Sequence, residues 1–332
     1  MTLDFWIEAV VKVILVFIVV LTAVAYMVLL ERRVLAHIQS RIGPNRVGPQ
    51  GLLQPAADAV KLMTKETVIP EAASRRIFLM APVFTMVPAL AAFAVIPFGD
   101  SITLFGRVIQ LHIADVNIAV LYILAWSSIG VYGIFLGGWA SNNKYALMGG
   151  LRSSAQMISY ELTIGLVVVA VVLQSGSFSL VDTVTAQKPL WFVVTQPLGF
   201  VLFVIASMAE INRTPFDLPE AETELVAGYH TEYSGMRFAM YFLGEYANLM
   251  TVTALATLLF LGGWHMPFPS PAWMAPLWFV GKMMALILFM MWTRGTLPRF
   301  RFDQLMVFGW KVLLPLSLVN ILVTASIVVV RS

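Results

Sequence analysis

From Arg213 to Gly235 the chain reads RTPFDLPEAETELVAGYHTEYSG, placing Asp217, Glu220, Glu222, Glu224 and Glu232 close together in a protein that is 59% hydrophobic and 12% charged. Clustered carboxylates can do acid–base work, because each ionised neighbour makes the next proton harder to lose. Two unit charges about 4 Å apart repel by roughly 4 kcal/mol at an effective dielectric near 20, equivalent to roughly three pKa units. Glu220 and Glu224 lie one helical turn apart, so with Asp217 and Glu222 they are expected to titrate as a coupled set and to hold at least one proton near neutral pH. A structural role covers part of the cluster: Pro219 suits a first helical turn, Asp217 can cap it, and Glu220 and Glu222 then face the positive helix end. That role omits Glu224 and Glu232, and it omits Glu161, Glu210 and Glu245, which fall within or at the ends of apolar stretches. Ionisable groups at membrane depth are costly and mark ion or proton paths unless a cation pairs with them, and Arg213, Arg237 and Arg294 are the cations at hand.

The elements that hold these groups are membrane helices. Mean hydropathy is +0.85, far above a soluble domain, and a helix needs about 20 mostly apolar residues to cross the hydrocarbon with every backbone polar group satisfied. Eight stretches qualify, near 5–30, 77–98, 117–140, 154–174, 190–210, 237–262, 272–293 and 304–330, giving an all-α integral membrane protein in one polytopic domain. Sustained period-2 alternation is absent, which excludes a barrel. Most of the 21 Lys and Arg fall in the connections 31–76, 141–153, 211–237 and 294–303. The positive-inside rule places those loops in the cytoplasm and both termini on the outer side. Orientation accounts for the net charge of +3, and no basic-aromatic patch suggests nucleic acid. Asp4 and Glu8 stand where a signal peptide would be basic, so the first apolar run is read as a retained span. With no Cys and four scattered His, the chain offers no thiolate or paired-His metal site of its own.

The first connection opens ERRVLAHIQSRIGPNRVGPQGLLQPAADAVKLMTKE. Its Gly and Pro residues impose a tight path beside Arg41 and Arg46. Beyond them an amphipathic helix is expected at the membrane surface, with Asp58, Lys61 and Lys65 on one face and Leu53, Val60 and Met63 among the apolar residues. Lys282 and Lys311 fall inside spans; Lys311, which precedes Pro315 in VLLPL, can bond carbonyls freed by an interrupted helix, and a functional role stays equally open.

This loop, SSAQMISYELTIGL, AEINRTPFDLPEAETELVAGYHTEYSGMRFAMYFLGEY and TRGTLPRFRFDQLMVFGWK together resemble the H-subunit family of the proton-pumping NADH:quinone oxidoreductase, respiratory complex I. Arg33 stands where many relatives have Lys. The resemblance implies a bacterial inner-membrane subunit at the junction with the hydrophilic arm, framing a chamber in which ubiquinone or menaquinone reaches an iron–sulfur cluster on a neighbouring subunit. FMN and the iron–sulfur clusters would sit only on partners, which would include hydrophilic quinone-site subunits, small membrane subunits and antiporter-like subunits within the lipid bilayer. By the same matching, Asp217, Glu220, Glu222 and Glu224 would couple quinone reduction to proton translocation, and Glu161, Glu210 and Glu245 would continue the chain. Arg32, Arg41, Asp58, Lys61, Arg213 and Arg294 match charged positions near the quinone path. A homologous anchor protein of a membrane-bound hydrogenase shares this ancestry. A self-contained proton-coupled transporter would need inverted repeats, and the acidic loop has no counterpart in the first half.

Overall fold

The computed structural model describes residues 3–104, 107–218, 222–268 and 271–331. Among them, seven helices are long and apolar enough to cross a membrane. These are α1 (Leu3–Ile38), α3 (Arg75–Ala91), α4 (Ala119–Ala140), α5 (Lys144–Ser175), α10 (Gly235–Phe260), α11 (Ala275–Thr296) and the run formed by α12 (Phe302–Phe308) and α13 (Leu314–Arg331). Between them lie α2 (Gln54–Thr64), α6 (Leu180–Ala186), α7 (Phe192–Thr195), α8 (Pro197–Glu210) and α9 (Glu222–Leu225).

α10 is the axis of the bundle, and nearly every residue of its C-terminal half is buried. α3 packs on α4 and on α10, α4 on α5, and α5 on α8 and α13, while α1 and α11 flank α10. The close approach of α3 and α4 depends on a missing side chain: a Cβ on Gly133 would lie 2.7 Å from the Thr85 backbone nitrogen. Small residues at such crossings let membrane helices reach van der Waals contact.

Two helices run further than their apolar stretches predict. α1 continues past residue 30 through Glu31, Arg32 and Arg33, since Glu and Arg are good helix formers and charge alone does not end a helix. α5 starts at Lys144, ten residues before the predicted span, because the Asn143 side chain accepts a hydrogen bond from the Tyr145 backbone N–H at 2.9 Å and caps it there.

The fifth predicted span, 190–210, is a broken helix. α7 and α8 meet at Gln196, and Pro197 starts α8, which at 14 residues and about 1.5 Å per residue falls short of a ~30 Å hydrocarbon core. Side chains take up the polar groups around the break. Gln196 Nε2 donates to Ala170 O at 3.1 Å and to Gln174 Oε1 at 2.6 Å. Gln187 Nε2 donates to Leu258 O at 2.7 Å, and its Oε1 accepts from the Gly262 backbone N–H at 2.9 Å. Lys282 meets the carbonyls of Leu261, Gly263 and His265 at 2.6, 2.9 and 2.8 Å, ending α10 with a half-buried ammonium over the Trp191 ring. Lys311 lies in a π-helical turn, Gly309–Leu313, with an exposed side chain.

A short hairpin that the sequence reading missed joins α3 to α4. β1 (Ser101–Leu104) pairs antiparallel with β2 (Arg107–Gln110) in the register Ser101 to Gln110. Four residues per strand are too few for alternation to stand out in an apolar chain.

Candidate functional site

The first predicted feature, the surface helix, forms as α2 and has no buried residue. The loop before it turns on Gly48 and Gly51, at φ 72° and 75°, and a Cβ on Gly51 would meet Pro44 O at 2.3 Å, so glycine is required. α2 is tied to α1 by Arg32 Nη1, which donates to Asp58 Oδ2 at 2.8 Å, and Lys61 approaches the other oxygen at 3.3 Å. Burial works to raise the Asp58 carboxyl, and Lys61, Arg32 and Gln54 outweigh it, holding it below the ordinary carboxylate range. A cleft of about 340 Å³ opens between α1, α2 and α10, with Arg32, Asp58 and Lys61 on its polar side and Val24, Phe242 and Leu243 on its apolar side. Arg41 is on the exposed loop, bonded to Gln39 at 2.8 Å, and does not line the cleft.

Tyr246 of α10 links this cleft to the interior. It lines the cleft, and the Arg213 guanidinium sits 4.2 Å from its ring centroid. Arg213 Nη1 donates to Glu31 Oε2 at 2.6 Å and its Nε to Glu245 Oε1 at 2.9 Å, and Arg294 closes on the other oxygen of Glu31. Burial works against the Arg213 charge, but Glu245 and Glu31 outweigh it and lift the guanidinium above its ordinary value. The set therefore holds two carboxylates against two guanidiniums in a buried site. Glu31 was missed in the sequence, although an acid at the end of the first apolar run is the same signal that marked Glu161; it stands at the head of the run of charges Glu31, Arg32 and Arg33, of which only Arg32 was matched to the quinone path.

Glu161 and Glu210 have different partners. Ser128 Oγ donates to Glu161, and the adjacent Ser127 Oγ donates to Glu210, so two neighbouring hydroxyls of α4 bring together carboxyls from α5 and α8. Glu210 and Asn248 line two small cavities, of about 20 and 30 Å³, and the second reaches Glu245. Thr85 Oγ1 and Asn212 Oδ1 border the second cavity and have no hydrogen-bond partner among the described residues. Neither serine stood out in the sequence, because Ser in an apolar helix more often bonds its own i−4 carbonyl, and Leu124 O does lie 3.1 Å from Ser128 Oγ as the alternative acceptor for its single proton.

Among its described residues the acidic loop is not one cluster. Asp217 is buried and pairs with Arg299 at 3.2 Å, while Glu224 is half-exposed and accepts from Arg152 at 2.6 Å. Glu232 accepts from Asn143 Nδ2 at 2.6 Å. Pro219 and Glu220, with the helix start expected there, lie outside the described residues. Glu222 opens α9, and its side chain is likewise outside them. Among the described residues, no group of three or more His, Asp and Glu is placed to hold a metal ion.

The family model described as NADH dehydrogenase matches residues 11–325. NADH-quinone oxidoreductase H subunit 1 of Geobacter metallireducens is 57% identical over 321 residues, 96% of each chain. The chain belongs to the H-subunit family of NADH-quinone oxidoreductase. H subunit 2 of Syntrophobacter fumaroxidans is 57% identical over 95% of this chain and 94% of its own, and the H subunit of Thermomicrobium roseum 54% identical over 93% and 92%. The resemblance carried by the two loops therefore holds across nearly the whole chain, first span included.

Proposed function

We propose that the chain is the complex I membrane subunit that admits quinone through the cleft between α1, α2 and α10 and passes the charge change of quinone reduction to a row of buried carboxyls. The observation that carries this is the position of Tyr246, which is at once a wall of the cleft and the surface on which Arg213 rests. The cleft suits a quinone, with an apolar side for an isoprenoid tail and Arg32, Asp58 and Lys61 as polar contacts for a head group. Electrons would come from an iron–sulfur cluster on a partner subunit. FMN and the antiporter-like subunits likewise belong to other chains of the complex.

This chain's own residues would hold and move protons. A change of charge beside Tyr246 alters the field at Arg213, which Glu31 and Glu245 share. Glu245 borders the cavity that reaches Glu210, and Glu210 meets Glu161 across Ser127 and Ser128. Each cavity exceeds the ~10–15 Å³ that one water needs, and Ser207 Oγ in the first and Thr85 Oγ1 and Asn212 Oδ1 in the second are left to bond one. Serine hydroxyls donate and accept, so they serve carboxyl and carboxylate alike. With the basic loops in the cytoplasm, the cleft opens near that face of a bacterial inner membrane. The identity of the relatives, named for NADH-quinone oxidoreductase throughout, supports this reading over the hydrogenase anchor.

Filling the cleft tests the proposal. Ala25→Trp places an indole between α1 and α10, and misplacing a quinone by about 1 Å is expected to lower quinone-linked NADH oxidation by up to about a hundredfold. Oxidation with a hydrophilic acceptor, which draws electrons upstream, is expected to persist. Equal loss of both in fully assembled complex would make the cleft structural.

A further inference from the structure

The N-terminal half of α1 leaves the bundle. Ile7, Val11, Leu15 and Val19, spaced at i, i+4, are each 51–58% exposed. They form one wall of a groove of about 810 Å³, whose other wall is Phe98 and the segment leaving the hairpin, Ile109 to Ile113. Val16 and Ile113 also line a second space, of about 360 Å³, between α1 and the end of α3, where Phe17, Val20, Val87 and Leu90 are among the walls. The two adjoin at Val16 and Ile113. Their chemistry differs: the first carries Glu8, Lys12, Gln110 and His112, and the second is apolar throughout. Lys12 Nζ lies 2.7 Å from Glu8 Oε1.

The groove thus has a charged mouth and an apolar floor. Along α1 it runs from Ile7 to Val20, about 20 Å at 1.5 Å per residue. That is close to half of the ~40–45 Å total thickness of a bilayer, or one leaflet with its head groups. An apolar transmembrane helix laid here would press hydrocarbon against Glu8 and Lys12, which is costly for charges at membrane depth. A zwitterionic amphiphile instead meets both charges at their own level.

We propose that this groove binds one glycerophospholipid with a primary-amine head group. Its ammonium donates to Glu8, its phosphate accepts from Lys12, and one acyl chain follows Val16 onto the apolar floor beside α3. Charge-assisted hydrogen bonds select the primary amine, because a quaternary ammonium has no N–H to give Glu8. The site is independent of the quinone cleft, so its failure would leave that reading untouched.

The test uses the intact complex in nanodiscs doped with phosphatidylethanolamine bearing a diazirine on one acyl chain. Labelling is expected to concentrate on residues 13–20 and 86–94, and unlabelled phosphatidylethanolamine should compete better than phosphatidylcholine. Lys12→Met removes one charge-assisted bond and is expected to reduce labelling there by about tenfold. The exposed face of α11 at Leu277 and Leu288 should be labelled equally in both proteins. The competition experiment needs no variant and stands if Lys12→Met fails to assemble. Equal competition by phosphatidylcholine, labelling spread evenly over all lipid-facing helices, or cross-links from Ile7 and Val11 to a helix of a neighbouring subunit would each overturn the proposal.

Discussion

Glu31 and Glu161 are both acids within membrane helices, yet their surroundings are opposite. Glu31 lies between two guanidiniums, Arg213 and Arg294, in a site with 3% of its side chain exposed. Glu161 meets a serine hydroxyl, and Glu210 beside it meets the next serine. Protonating Glu31 would strip the buried Arg213 and the half-buried Arg294 of their counter-charge, whereas Glu161 can gain or lose a proton and keep its hydroxyl partner. The first arrangement holds charge in place; the second lets it move. Glu245 stands between them, bonded to Arg213 and facing the cavity that leads to Glu210.

The sharpest way to break this contrast is to remove the shared cation. Arg213→Leu leaves Glu31 and Glu245 buried without their common partner, at a cost of about 3–5 kcal/mol, and is expected to abolish incorporation of the chain, measured by its abundance in purified complex. Arg213→Lys should restore little, because one ammonium cannot make both bonds of the planar fork. A normally assembled Arg213→Leu complex would show that the set is not what holds α1, α10 and α11 together.

At the hydroxyl-paired acids the effect should fall on turnover instead. Glu161→Gln keeps shape and hydrogen bonding, so assembly is expected to stay intact while quinone-linked turnover falls by about 10²-fold or more, within the range of general acid–base contributions. Ser128→Ala should do less, about tenfold, the lower end of what one hydrogen bond to a charged group contributes. Assembly lost in Glu161→Gln would move this residue into the same class as Glu31.

His230 offers a third environment, buried in aromatic contact with Tyr229, Phe238 and Phe242. Burial pushes its imidazole down to about 4. Its unfolded value is near 6.5, so the stability gained by keeping it neutral is full above pH 6.5 and declines as pH falls toward 4. That decline is on the order of 3 kcal/mol. Thermal unfolding of the complex across this range is expected to depend less on pH in His230→Phe than in the wild type.

The spans were legible because apolar length alone decides them, and the broken fifth one was not, because its interruption at Gln196 is repaired by side chains from elsewhere in the chain. Four stretches carried the family, the glycine–proline loop and the acidic loop most specifically. The site was half legible: Arg32, Asp58 and Lys61 do share the cleft, but the acidic loop divides among Arg299, Arg152 and Asn143 rather than forming one wall among the described residues. Pairing across 182 and 263 residues, as of Glu31 with Arg213 and Arg294, has no local periodicity to betray it.

The account turns on which carboxyls change protonation when quinone is reduced, and redox-difference infrared spectroscopy of the assembled complex reads this directly. A carboxylic C=O band that changes on quinone reduction is expected in the wild type, to be lost in Glu161→Gln or Glu210→Gln, and to remain when Glu31 is replaced by Gln. A band that survives in both Glu161→Gln and Glu210→Gln would contradict the division of roles between hydroxyl-paired and arginine-paired acids.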